Sequence, residues 1–307
     1  MGKPLSELVV PFRLKSSILC LLPVLIIRNL FPKMLKITPF DEITRFDLAR
    51  ELPIRWRYWT TAYLVDGMMV DTGCAHAASE LLTVLADRPP TSIVNTHTHE
   101  DHIGANGDLQ ARWPDLVIYA HPLALPVLAD PRGKQPLHPY RKVFWGWPKP
   151  SHAGAVTDCA TIETEHHCFQ VVYTPGHAPD HICLYEPERG WLFTGDLFSG
   201  GKDRALRAGY DIWGIIASLK RIASLPARRM FPGSAQVREN PKQELESKIA
   251  YLEDFGGRVL ELHRKGWGVR AIVRAVCGGA MQIEWITLGH FTRRNFVLSY
   301  LGINKDW

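Results

Sequence analysis

No run of the sequence is both long and apolar enough to cross a bilayer as a helix. The longest apolar stretch, Ile18–Ile27, has ten residues, where a span needs about 20. None of the six cysteines (Cys20, Cys74, Cys159, Cys168, Cys183, Cys277) stands in a Cys-X-X-Cys pair. A chain of 307 residues needs no disulfide staples, so reduced thiols in a reducing, cytoplasmic setting are expected. Repeats and low-complexity segments are missing as well. Excess charge of one sign is small, with 36 Lys+Arg against 31 Asp+Glu, and the surplus is local. The first 33 residues carry Lys3, Arg13, Lys15, Arg28 and Lys33 against the single acid Glu7; residues 34–240 net −2 and residues 241–307 net +3. That distribution lacks the concentrated basic stripe expected of an RNA-backbone binder. With 46% apolar and 22% charged residues, disorder, collagen and coiled coil are excluded.

What is present begins with residues 1–33, a basic and apolar extension. Its charge-then-apolar order is that of a signal peptide, but Arg28, Asn29, Leu30 and Phe31 stand where a small-residue cleavage site would. Pro23 interrupts any helix there. The segment is read as a strand, a packing arm or a piece upstream of a start at Met34. Peripheral membrane contact through residues 13–31 is the alternative.

From Met34 the pattern becomes short strands alternating with helices. Arg57–Val65 and Met68–Val70 read as a hairpin turning at Asp66-Gly67. Ala75–Ala86 has helical spacing and ends before Pro89-Pro90. Ser92–Thr96 and Leu116–Ala120 are β-rich. Residues 129–158 form a long irregular stretch rich in proline and aromatics (Tyr140, Phe144, Trp145, Trp147), the composition of a cover that packs on something. Strands are expected at Thr161–Thr174, Ile182–Glu186, Trp191–Thr194 and Arg229–Phe231, with a helix at about 212–224. After Pro241 helices follow over Lys242–Lys265, Val269–Val276 and near Leu288–Leu301. The expected organisation is an α/β catalytic domain over residues 34–240 and a small helical module over 241–307.

The chemistry concentrates in Asn95–Asp108, NTHTHEDHIGANGD. His97, His99, Asp101 and His102 place four metal-capable side chains within six residues. Histidines at i and i+2 project to the same side of an extended backbone and can share one ion, while Asp101 and His102 on the following turn face a second. The β run before it and Gly104 after it place the cluster at a strand end. Three neutral imidazoles suit zinc or iron.

This His-X-His-X-Asp-His segment is similar to the signature of the metallo-β-lactamase superfamily. Its other motifs follow in order: Asp71 in VDTG, His177 in YTPGHAPDH and Asp196 in FTGD. The resemblance implies a four-layer αββα sandwich. It implies a first metal on His97, His99 and His177, a second on Asp101 and His102, and Asp196 bridging them. Asp71 becomes a buried residue orienting the loop, with His181 nearby. Zinc is the expected ion, with iron or manganese as alternatives. The implied reaction is hydrolysis by a metal-bound hydroxide, Asp101 orienting it and passing a proton to the leaving group.

One position departs from the family. Where a histidine usually follows Pro-Gly, the segment RMFPGSAQV has Ser234, a poor ligand beside imidazole. The second ion is therefore expected to bind more weakly than the first. His290 in the tail is read as a capping or core histidine, not the replacement ligand.

Fold alone does not choose the substrate. TPGHAPDHICLY and FTGDLF are most similar to the branch of glyoxalase II-like thioesterases and β-lactamase-like endoribonucleases. A small ester, thioester or lactone is preferred, because the aromatic segment suits a partly apolar pocket. Tyr140 and Trp145 are its candidate substrate contacts. Lys202 and Arg204, with Arg207, are candidates to hold an anionic group at the rim. An RNA phosphodiester, a β-lactam and a catalytically weak metal-binding role are the alternatives.

Overall fold

Alternation along the strands sorts the apolar side chains of the described residues into three large cores and one small cluster. The computed structural model describes residues 33–50, 58–135 and 138–303; the expectations for residues 1–32 and for Arg57 lie outside them. From Lys33 onward the chain forms one compact unit. Seven strands build the first sheet in chain order: β1 (Lys33–Phe40), β2 (Ile43–Arg50), β3 (Thr60–Val65), β4 (Met68–Val70), β5 (Ser92–Val94), β6 (Val117–Ala120) and β7 (Gly154–Ala155). Neighbours are antiparallel up to β4 and parallel from β4 to β7. The second sheet takes β8 (Thr161–Glu163), β9 (Cys168–Tyr173), β10 (Ile182–Glu186), β11 (Trp191–Gly195) and, beyond the short β12 (Leu206–Arg207), β13 (Arg229–Pro232). Its order is β13-β11-β10-β9-β8, with only β11 and β13 parallel.

Side chains alternate across each strand with period two. Tyr63, Val65, Met68 and Val70 meet Phe169, Val171, Leu184, Phe193 and Phe231 in a core between the sheets. The intervening Ala62, Met69 and Ile93 face outward onto Leu81 of helix Ala78–Val84 and Leu109 of helix Asn106–Arg112. Val172, Cys183, Leu192 and Met230 face outward on the other side, onto helices Ile212–Ala223, Pro241–Arg264, Val269–Val276 and Arg293–Tyr300. The result is the expected helix–sheet–sheet–helix sandwich. At roughly 1.5–3 kcal/mol per fully buried large apolar side chain, these layers hold the sheets rigidly enough to carry a polar site at their shared edge. The helices after Pro241 join the outer core directly, Leu245, Leu252, Phe255 and Phe296 packing with Ile215 and Leu219.

Three local differences from the sequence reading have physical reasons. Residues 129–158 contain two short helices, Pro131–Lys134 and Pro139–Phe144, each starting at a proline. Proline presets the first-turn φ and lacks only a donor that would go unused, while pieces this short carry no periodicity to read. Thr161–Thr174 breaks into β8 and β9 at a turn closed by Thr164 N donating to His167 O at 2.9 Å. The tail opens with a two-residue strand, β14 (Phe291–Thr292), which pairs antiparallel with β12 (Arg207↔Phe291) before its helix begins. Among the described residues no helix is long and apolar enough to cross a membrane.

Candidate metal centre

The loops that leave β4, β5, β9, β11 and β13 deliver Asp71, the His97–His102 segment, His177, Asp196 and Ser234 to one edge of the sandwich. Asp71 sits in the left-handed region, at φ 60°, a conformation few non-glycine residues adopt. There its carboxylate is tied on three sides. Oδ1 accepts Thr96 N at 2.8 Å, and Oδ2 accepts Thr96 Oγ1 and His102 Nδ1, both at 2.7 Å. Thr96 Oγ1 in turn lies 3.0 Å from His97 Nδ1. Asp71 thus touches the His102 ring directly and reaches the His97 ring through Thr96. The histidine loop docks on the Asp71 loop through Thr72 N to His102 O at 2.7 Å and Gly104 N to Gly73 O at 2.8 Å. A Cβ at Gly104 would collide with the backbone of residues 73–75, so only glycine allows this approach.

Two groups of ligand atoms result. His97 Nε2 and His177 Nε2 lie 2.8 and 3.0 Å from His99 Nδ1. His97, His102 and Asp196 form the second group. Asp196 Oδ2 stands 3.4 Å from His102 Nε2 and 3.8 Å from His177 Nε2, between the two. Asp101 Oδ2 is 3.9 Å from His102 Nε2, and Ser234 stands beside Asp196 and helps hold its pKa down. His181 is buried, its Nδ1 2.8 Å from Thr174 Oγ1 and its Nε2 without a partner.

The electrostatics suit cations. Burial, reinforced by the neighbouring charges of His102, Arg207 and one another, pushes His97 and His99 well below the ordinary imidazole range; burial likewise takes His177 to about 4. These rings are neutral, which is the ligand form. His102 is raised well above that range, burial being outweighed by Asp196, Asp71 and Asp101. Burial would lift both acids, but His102 and His177 draw Asp196 down, whereas Asp101 is lifted to about 6 with Asp196 adding to burial. Neutral imidazole nitrogens converging within 3.0 Å and a buried Asp196 Oδ1 with no partner are what a pair of cations would satisfy. The donor set, three imidazoles on one side and imidazole with carboxylates on the other, fits zinc or iron.

A cavity of about 160 Å³ opens on this edge. Tyr140 and Trp145 line it, together with Tyr58, Tyr210 and Phe291. Lys202 and Arg204 do not. Both are exposed, the Lys202 ammonium lying 5.6 Å from the centre of the Tyr251 ring. The cations facing the cavity are Arg207 and Arg141. Arg207 Nη1 is 2.8 Å from His99 Nε2, and its Nε donates to His290 Nε2 at 3.1 Å. His290 is accordingly a buried positioning histidine, with Nδ1 2.6 Å from Tyr140 OH. Arg141 is an ion-pair partner of Glu100, the residue between His99 and Asp101. Sequence reasoning missed Arg141, Tyr58 and Tyr210. Nothing distinguishes Arg141 from Arg132 or Lys142 in the same stretch, since a buried arginine leaves no periodic signature.

The family model of the metallo-beta-lactamase superfamily matches residues 60–234, and the chain belongs to that superfamily of hydrolases. It is similar to the atrochrysone carboxyl ACP thioesterase of Aspergillus fumigatus, 28% identical over 60% of this chain and 52% of that one. A hydroxyacylglutathione hydrolase of Legionella pneumophila is 33% identical over 37% of this chain and 36% of its own length. The chain thus spans about half, or less, of the length of these curated relatives. A metallo-beta-lactamase family protein from Thermus thermophilus shares the fold, with a TM-score of 0.61 at 20% identity over 88% of this chain and 91% of that one.

Proposed function

We propose that this hydrolase cleaves a thioester, or a small ester or lactone, at two adjacent metal ions, zinc in both places. The carrying observation is the convergence of His97, His99 and His177 beside His102, Asp101 and Asp196 at the floor of an aromatic cavity. His97, His99 and His177 would hold one ion, and Asp101 and His102 the other, with Asp196 between. When bound, such ions lower the pKa of water toward 7 and polarise a carbonyl oxygen. The chain does the rest. Asp71 fixes the His102 tautomer by accepting its Nδ1 proton, and through Thr96 it steadies His97. Asp101, whose Oδ2 lies 3.9 Å from His102 Nε2, would orient the attacking water and pass its proton toward the leaving group. Tyr58, Tyr140, Trp145 and Phe291 exclude bulk water and bury the acyl part. Water and the thioester yield a carboxylic acid and a free thiol, the leaving sulfur taking the proton that Asp101 relays.

The aromatic lining and the thioesterase and hydroxyacylglutathione hydrolase names of the relatives support acyl transfer over phosphodiester cleavage. The test is turnover of thioester, lactone, β-lactam and phosphodiester reporters by the zinc-loaded protein, Asp101→Ala and His99→Ala. Thioester cleavage lost in both variants is expected. Equal rates in all three proteins would refute the site, and cleavage of the phosphodiester alone would refute the acyl reading.

A further inference from the structure

The cavity holds two guanidinium groups that the hydrolytic chemistry does not use. Arg141 is only 1% exposed. A cation withdrawn from water is tolerated only when its donors are paired, yet only Nη2 of Arg141 is, through Glu100 Oε2; Nε and Nη1 are buried with no partner. Burial, with the charge of Arg207 next in size, draws the Arg141 pKa down, the mark of a cation that an incoming anion would relieve. Arg207 has no carboxylate partner among the described residues, and its guanidinium sits 5.6 Å from the Tyr210 ring centre. It is aimed by the Tyr140–His290 pair through Nε.

The other neighbours of Arg207 are uncharged: the His99 ring, with Nε2 2.8 Å from Nη1, and the Tyr210 hydroxyl. Nothing around this guanidinium among the described residues supplies the negative charge that a carboxylate would bring. The remaining acid of the cavity wall, Asp203, is already paired with Lys248 at 2.7 Å.

We propose that the cavity selects acyl groups ending in a carboxylate, received by Arg141 and Arg207 beside His99 while the thioester carbonyl faces the metal ligands; this rests on the acyl-hydrolase reading of the same site. Both arginines present forks that suit a planar carboxylate. A doubly charged phosphate is disfavoured because Asp101 and Asp196 face the same small space. The cavity of about 160 Å³ equals roughly five water volumes, enough for a short acyl chain with the thiol carrier outside.

The experiment compares succinyl and butyryl thioesters of one thiol, N-acetylcysteamine, on the zinc-loaded protein. The expected kcat/KM ratio favours succinyl by about tenfold or more, the scale of a charge-assisted contact. It falls by a similar factor in Arg207→Gln and in Arg141→Gln at unchanged zinc content, while Lys202→Gln, outside the cavity, keeps it. A ratio near one in the wild type, or a ratio indifferent to Arg207→Gln, overturns the proposal and leaves the hydrolase reading standing. Should Arg141→Gln not fold, Arg207→Gln decides alone. Should no thioester turn over, the thioester part of the functional reading fails, and calorimetry decides the anion site separately. Succinate binding that succinamide does not reproduce and that Arg207→Gln abolishes supports it. Equal binding of both, or inorganic phosphate displacing succinate at lower concentration, overturns it.

Discussion

Glu100 and Arg141 offer the sharpest test of how the site is braced. Glu100 is fully buried and Arg141 1% exposed, and they pair across the gap between the histidine loop and the helix Pro139–Phe144. Glu100→Gln removes the counter-charge and strands the guanidinium in the interior. Breaking one side of a buried pair costs about 3–5 kcal/mol, since the remaining ion keeps its desolvation penalty and loses its compensation. Arg141→Met should cost about the same by stranding the Glu100 carboxylate. The double variant Glu100→Gln/Arg141→Met leaves no buried charge, so it should be less destabilised than either single variant. That is a coupling of about 3 kcal/mol or more. The assay is urea unfolding of all four proteins at one fixed free zinc concentration, with zinc content measured in each folded state. Strictly additive single effects would refute the reasoning, as would a loss below about 1 kcal/mol for Glu100→Gln, because the pair would then behave as a solvated surface contact.

Other outcomes follow from the same geometry. Ser234 stands by Asp196, where it offers a hydroxyl in place of an imidazole. After extensive dialysis the protein should keep about one zinc per chain, and Ser234→His about two, by elemental analysis; two tightly held ions in the unmodified protein would contradict this. Asp71→Ala removes the acceptor of His102 Nδ1 and of Thr96, and should weaken zinc binding about 10–100-fold in a competitive chelator titration. Asp101, lifted to about 6 by burial and Asp196, binds a proton that zinc must displace. Affinity at its position should therefore fall by at least about tenfold per unit below pH 6, and go on rising above it while His102, also raised, gives up its proton; equal affinity at pH 5 and 7 would sink that assignment. In the metal-free protein, fold stability moves the opposite way to zinc affinity. A carboxyl raised from 3.8 to about 6 contributes stability that is whole below pH 3.8 and lost as pH rises through 6. Asp101→Asn should flatten that slope in apo-protein unfolding curves.

Much of this was legible in the chain, for different reasons at different places. The six residues His97–His102 announce themselves because ligand chemistry requires particular side chains at fixed spacing, and the structure brings them together with His177, Asp196 and Asp71. Some strands were readable as β-rich runs between turn signals, as in β10, found with its ends at Ile182 and Glu186, whereas β1 and β2 were not read. The β12–β14 pairing was not readable, because two residues carry no period and the partners, Leu206↔Thr292 and Arg207↔Phe291, lie 86 and 84 positions apart. Arg141 was hidden for a related reason. Its burial depends on Glu100, 41 residues away, and arginine in a proline-rich segment reads as solvated. Lys202 and Arg204 were singled out by nearness to Asp196 in sequence, but the chain turns them outward and sends Arg207 in.

The β12–β14 pairing separates two inheritances within one active site. The groups that would bind metal all come from loops of the sandwich, whereas His290, which aims Arg207, arrives on the carboxy-terminal segment and is set beside the site by the two-residue β14. Recombination or drift in that tail could therefore rewrite which acyl end is accepted without disturbing a single ligand, and chimeras exchanging the segment after Pro241 would be the natural place to look for new specificities on an unchanged catalytic floor.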